Sequence, residues 1–306
     1  MNSMHPTSDQ DMTASSDISR RFLFQDADIR GETVHLEKTL TDILDIHQYP
    51  PAVAELLGEF LAAAVLLSTT LKFDGKLILQ VRSDGQIPLL MVECTNLLHI
   101  RAIARGAEKA TASDFDQLLT NGQLAITVDP KHGQRYQSIV PLAGGSLAQS
   151  LDAYFEQSEQ LSTRFWLTSD QGRAAGMLLQ QLPSRDERST EQRKEDWQHA
   201  CALAATIQAE ELLRLSSEQL LYRLYHEQPP QLFEPSAITF ECNCSAQRTQ
   251  AALATLNPTE IEEILIDQGA ITMDCEFCNE QYRFTRADLS ALLAGDGSEP
   301  DSKTLH

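Results

Sequence analysis

Phe240-Glu241-Cys242-Asn243-Cys244-Ser245 ("FECNCS", 240–245) puts two cysteines one residue apart, and Asp274-Cys275-Glu276-Phe277-Cys278-Asn279 ("DCEFCN", 274–279) repeats the device some thirty residues later. The chain has only six cysteines in 306 residues, so two tight pairs mark a site. Four thiolates suit tetrahedral zinc, with Zn–S bonds of about 2.3 Å. Cys-x-x-Cys in a hairpin turn is a common half-site, because the turn aims both sulfurs to one side. Cys-x-Cys works where a strand kinks into a helix, and Ser245 is the expected start of that helix. The positive end of its dipole then favours a thiolate at Cys244.

Working outward, residues 233–293 read as a small domain built around these cysteines. Strand-like AITFECNC leads into a helix opened by Ser245. Asn257-Pro258-Thr259-Glu260 announces a second helix, with a cap residue, proline at the first position and an acid at the third. A strand pair around AITMDCEFCNEQYRF follows, and Thr285 caps a last short helix, RADLSALL. The domain holds ten acids and three bases, which disfavours nucleic acid. A domain of this size is marginal alone. Structural zinc contributes an apparent stabilisation of about 10–16 kcal/mol in small peptides, comparable with the ~5–15 kcal/mol net stability of a whole domain. Loss of metal is therefore expected to unfold it. Oxidation causes such loss, since a disulfide offers no thiolates. Cys275–Cys278 closes with modest strain, and Cys242–Cys244 closes a tighter ring that needs the backbone to loosen first. The residues alone leave open an iron–sulfur cluster, and they leave open a zinc site that never cycles.

Upstream, strands and helices mix without a βαβ repeat, which makes the class α+β. RFLFQD and RGETVHLEKTL read as extended segments before a helix, TLTDILDIHQY, that Pro50-Pro51 stops. AVAELLGEFLAAAVLLSTTLK reads as a helix buried on most faces. KLILQVR and IPLLMVECT form a hairpin through Ser83-Asp84-Gly85-Gln86, where Gly85 is expected to supply a positive φ. GQLAITVDP and RYQSIVPL form a second, followed by a helix, SLAQSLDAYFEQSEQL, a strand, TRFWLTS, and an apolar segment, AAGMLLQQLP. From residue 184 the composition turns to charge (SRDERSTEQRKEDWQ), a solvated run, and then to helical periodicity with a stripe of Leu212, Leu213, Leu215, Leu220, Leu221 and Leu224. The division expected is a disordered tail at 1–20, an N-terminal core at 21–183, a metastable helical linker at 184–232, the four-cysteine domain at 233–293, and a disordered tail at 294–306.

The formal net charge is −20 and the pI is about 4.7, so nucleic-acid phosphates and anionic membranes are poor partners. Residues 1–20 carry no apolar h-region, and FLAAAVLL at 60–67 is shorter than the roughly 20 residues that span a bilayer. A cytoplasmic protein with reduced thiols is expected. Cys94 and Cys201 lack cysteine neighbours and read as small buried residues, although unfolding of the linker would expose Cys201. The eight histidines show no ligand spacing. Gly144-Gly145 lacks a phosphate-loop lysine, so ATP is not expected. No catalytic arrangement is discernible, and the chain reads as a non-enzyme. A hydrolase or transferase stapled by zinc, or a zinc module docking one fixed partner, stand as the rival readings.

The chain resembles the heat-shock protein 33 family of redox-regulated holdase chaperones over about residues 20–293. Besides the two cysteine pairs, the matching stretches are LKFDGKLILQ (71–80), YFEQSEQL (154–161), AAGMLLQ (174–180), EELL (210–213) and LYRLYHE (221–227). The resemblance implies zinc ligands at Cys242, Cys244, Cys275 and Cys278, and a reduced, zinc-bound state in which the linker is folded and the protein inactive. It implies that hypochlorous acid, or peroxide with heat, expels zinc, that the C-terminal domain and linker unfold, and that the protein dimerises and holds unfolding clients without ATP. The departures are local. Ser83 and Ser138 stand where the family often has Gly, Ser162 where it usually has Pro, and Asn279, which tolerates a left-handed backbone, where Gly is common.

Overall fold

Pro51 opens the helix around which the chain is organised. Its missing N–H costs nothing at a first helical position, and the helix runs Pro51–Thr70. The computed structural model describes residues 17–142, 144–158, 161–170, 172–184 and 189–293. Both tails expected to be disordered lie wholly or mostly outside these residues, as do part of YFEQSEQL and part of the charge run. The chain forms two compact units. The first comprises residues up to Leu44 and Gln48–Phe240, and the second comprises Asp45–His47 and the chain from Glu241.

In the first unit, β1 (Ile18–Phe24) and β2 (Ile29–Leu36) form an antiparallel pair. Helix α1 (Lys38–Leu44) ends well before Pro50, earlier than the sequence pattern suggests. Helix α2 is Pro51–Thr70. Next come β3 (Gly75–Arg82), β4 (Leu89–Thr95), β5 (His99–Arg105), the short helix α3 (Phe115–Leu118), β6 (Gln123–Pro130) and β7 (Tyr136–Pro141). Then follow α4 (Leu147–Ser158), β8 (Thr163–Ser169) and β9 (Ala174–Gln181), so the apolar AAGMLLQQ segment is a strand. The linker region supplies α5 (Thr190–Ala204), α6 (Ala209–Arg214) and α7 (Ser217–Tyr225), after which β10 (Gln231–Leu232), β11 (Ser236–Ala237) and β12 (Thr239–Phe240) return to the sheets.

One sheet runs β10-β1-β2-β9-β8, with β11 also on β1, and the other runs β12-β5-β4-β3-β6-β7. Helix α2 packs against β2, β8 and β9 of the first sheet and β3, β4 and β5 of the second. Its apolar run is long enough to span a bilayer by length and composition, but 78% of that window is buried inside the fold. It is a core helix. Phe60, Leu61, Ala62, Ala63, Ala64, Val65 and Leu66 are all fully buried.

Both hairpins form where expected, but the first turn differs. Residues 83–88 make a six-residue connection, and Gly85 is absent from the positive-φ residues. Glycine is required there for another reason: a Cβ would lie 2.4 Å from the Leu118 carbonyl oxygen and 2.6 Å from the Thr120 nitrogen. Ser83, the departure beside it, donates from Oγ to the Ile87 carbonyl at 2.7 Å and accepts from the Gly85 N–H at 3.1 Å.

The outer face of the first sheet is covered by the linker helices. Leu212, Leu220, Leu221, Leu224 and Tyr225 bury against Phe22, Phe24, Ile29, Ala175, Met177 and Leu179, while Leu213 and Leu215 are partly buried at the margin. Each fully buried leucine contributes about 1.5–3 kcal/mol relative to exposure. Polar contacts key the docking. Thr33 and Ser217 share a hydroxyl–hydroxyl bond of 2.8 Å. Arg20 pairs with Glu218, His35 Nε2 lies 3.1 Å from the Leu212 carbonyl, and Tyr225 Oη donates to the Ala200 carbonyl at 3.1 Å. The charge run is not wholly solvated, because Arg193 pairs with Asp28 at 3.0 Å.

The division between units falls after Phe240, not at residue 232. Residues 233–240 pair with the first unit: Ile18 opposes Ala237, and Thr239 runs parallel to His99.

The second unit contains α8 (Ala246–Leu253), α9 (Pro258–Gln268), the antiparallel pair β13 (Ile271–Asp274) and β14 (Gln281–Phe284), and α10 (Ser290–Leu293). Asn257 caps α9, with Pro258 in its first turn and Glu260 closing the box back to Asn257. Thr285 donates from both its N–H, at 2.8 Å, and its hydroxyl, at 2.6 Å, to Asp288. The unit's core is small: Leu253, Ile261, Leu265, Ile271, Phe284 and Leu289.

Candidate metal centre

The β13–β14 hairpin carries the Cys-x-x-Cys pair at its turn. The Cys275 N–H donates to the Glu280 carbonyl at 2.8 Å, and the Asn279 and Cys278 N–H groups donate back to the Cys275 carbonyl at 2.7 and 3.3 Å. This requires a left-handed residue, and Asn279 adopts φ 57°, as its side chain tolerates. The Cys275 sulfur accepts from the Phe277 backbone and the Cys278 sulfur from the Glu280 backbone. The other pair sits where β12 has ended and α8 has not begun. Ser245 caps α8, its hydroxyl accepting from the Arg248 N–H, so the kink expected between Cys242 and Ser245 is present. Arg248 Nη1 donates to the Asn243 carbonyl at 2.7 Å, which fastens the irregular segment to the helix. Across the site, Tyr282 Oη donates to Cys244 Sγ at 3.0 Å.

These elements gather Cys242, Cys244, Cys275 and Cys278 so that all four sulfurs lie within 4.8 Å of one another. Cys242 Sγ is 3.7 Å from Cys275 Sγ, and Cys244 Sγ is 3.5 Å from Cys278 Sγ. A zinc tetrahedron with bonds of about 2.3 Å has sulfur–sulfur edges of about 3.8 Å. The donor set therefore fits zinc in kind, number and spacing. Its electrostatics call for a cation. Burial, and beyond it the neighbouring sulfurs, push the Cys278 thiol well above its ordinary range, and Cys275 moves the same way. Four thiolates this close repel one another unless a positive charge sits among them.

The structure separates the other two cysteines from this site. Cys94 is fully buried on β4, where burial pushes its thiol up to about 12. Cys201 is half-buried on α5, and burial pushes it up to about 12 as well. Neither is activated as a nucleophile. Tyr282 was not among the residues that the sequence singled out. Strand alternation was the available signal, since Phe284 faces the small core and Tyr282, two residues earlier, shares its face.

The fold and site together define a mixed α+β protein that carries four thiols on a small separate unit. The sequence pattern of the family described as Hsp33 protein matches residues 17–285, and the chain belongs to that family. A 33 kDa chaperonin of Pseudomonas paraeruginosa is 51% identical over 294 residues, covering 95% of this chain and 99% of the relative. The 33 kDa chaperonin of Azotobacter vinelandii is 48% identical over 293 residues, covering 95% and 99%. The crystal structure of the 33 kDa chaperonin of Thermotoga maritima shares the fold, with a TM-score of 0.77 at 20% identity, over 92% of this chain and 99% of that one.

Proposed function

We propose that this chain is a cytoplasmic, ATP-independent holdase, without catalytic activity, that oxidation switches on. The observation that carries the proposal is the gathering of Cys242, Cys244, Cys275 and Cys278 within 4.8 Å on a unit with a very small core. These four residues are the ligands of one Zn2+ in the reduced protein. When bound, zinc supplies the charge that lets four thiolates crowd together and crosslinks two segments about thirty residues apart, an apparent contribution of about 10–16 kcal/mol.

Oxidation removes the thiolates in pairs. Hypochlorous acid takes two electrons from two thiolates. A sulfur–sulfur bond forms, and chloride and hydroxide leave. The sulfurs approach to 3.5 and 3.7 Å, beyond bonding distance, so each closure needs movement. The nearest sulfurs are 33 and 34 residues apart in sequence and drift apart once the unit loosens, whereas sequence neighbours stay close. The disulfides are therefore Cys275–Cys278, formed first on the turn, and Cys242–Cys244, formed later. With the second unit unfolded, the linker helices leave the sheet and expose Leu212, Leu220, Leu221 and Leu224 together with the apolar face beneath them. Unfolding clients bind there, and the oxidised protein is a homodimer. Nucleic acid and membranes are not partners, in keeping with the net charge of −20.

The test is light scattering of a thermally unfolding client with reduced and oxidant-treated protein, while a chromogenic chelator reports zinc. The expected result is suppression by the oxidised form alone, with one zinc released per chain. Equal behaviour of both forms refutes the switch.

A further inference from the structure

The four sulfurs are held by different means. On the β13–β14 turn, backbone amides donate to Cys275 and Cys278, and no side-chain substitution removes those bonds. Cys244 lies on an irregular segment before α8 and receives its donor from a side chain, the Tyr282 hydroxyl at 3.0 Å. The ring of Tyr282 packs against the core of Leu253, Ile261, Leu265 and Phe284, and its backbone is fixed opposite Met273 in the β13–β14 register. The hydroxyl is thus aimed by packing.

We infer that Tyr282 is a positioning residue for the thiol switch, holding Cys244 in the ligand set and making the Cys-x-Cys half the later to oxidise. The inference rests on the zinc-switch reading above. The chemistry is that of an outer-shell donor. A hydrogen bond to a ligating atom orients it and draws off electron density, and loss of such partners typically weakens metal binding about 10–100-fold. A sulfur that accepts an O–H hydrogen bond is also a poorer nucleophile toward an oxidant. The amides of the turn protect Cys275 and Cys278 only while the turn holds its shape, whereas Tyr282 ties Cys244 to the unit's core. The asymmetry gives a physical reason for an ordered response.

Tyr282→Phe in the full-length chain keeps the ring and removes the donor. The expected results are zinc affinity lowered about tenfold in chelator competition, charge-transfer bands of the cobalt-substituted site moved to lower energy, and a larger early share of the Cys242–Cys244 disulfide by mass spectrometry after brief oxidation. Incorporation of p-aminophenylalanine at 282, whose N–H donates, restores all three toward the unaltered chain. If the unaltered chain takes up one zinc and Tyr282→Phe matches it in affinity, spectrum and disulfide order, this inference alone falls. If the unaltered chain takes up no zinc, the reading beneath falls and the inference falls with it.

Discussion

Leu220→Ala tests whether docking of the linker is what keeps client-binding surface covered. Leu220 is fully buried on α7, in a cluster with Phe22, Phe24, Met177 and Tyr225. Truncation removes three carbons, about 0.8 kcal/mol each in transfer, and leaves a cavity, so about 3 kcal/mol is expected within the ~2–5 range for such changes. That shifts the docking equilibrium by roughly 150-fold. Because α7 packs on the outer face of the sheet and on α5, the core around α2 is untouched. The reduced, zinc-loaded variant is expected to suppress client aggregation without oxidant, while zinc content stays at one per chain. Hydrogen exchange localises the effect, with amides of 209–225 losing protection and those of β3–β6 keeping it. The reasoning is refuted if exchange in 209–225 accelerates by that factor and the reduced variant still holds no client.

Two further predictions concern the sheet beneath the linker. Glu32 is 6% exposed, and burial raises its pKa from 4.5 to about 7; ionisation therefore disfavours the folded state, and stability present below about pH 4.5 is lost as pH rises toward 7. Glu32→Gln is expected to remove that slope and to stabilise the first unit by about 2–3 kcal/mol at pH 8, measured by denaturant melts at pH 5 and pH 8; an unchanged slope counts against the assignment. A Cβ on Gly31 would lie 2.0 Å from Cζ of Phe22, whose ring is fully buried, so Gly31→Ala is expected to cost about 1–3 kcal/mol, with much of it recovered by adding Phe22→Leu. Additive destabilisation in the double variant would show that the ring is not the obstacle.

The parts of the fold legible in the sequence are those written in local chemistry. The cysteine spacing, the Asn257-Pro258-Glu260 helix start and the leucine stripe each name their own structure, and the stripe is docked as its periodicity requires. Strand β5 has no clear signature in the sequence. Its core-facing residues are Ile100, Ala102 and Ala104, two of them small, and the buried Ile103 interrupts the polar face of His99, Arg101 and Arg105, so the alternation is weak. The turn before it uses Leu98 at φ 59°, a conformation that glycine or asparagine would ordinarily signal. Residues 231–240 form strands only two residues long, set by partners more than a hundred residues away in sequence, which no local pattern encodes. At the site, spacing revealed the four thiols but not the Tyr282 hydroxyl, whose role appears only when β14 is folded back beside Cys244.

Hydrogen exchange of the full-length chain, followed as oxidant releases zinc, tests the central claim most directly. The account predicts that amides of 241–293 lose protection in step with zinc release, that those of 209–225 follow, and that those of β1–β9 stay protected. Full release of zinc with 209–225 still protected would contradict it.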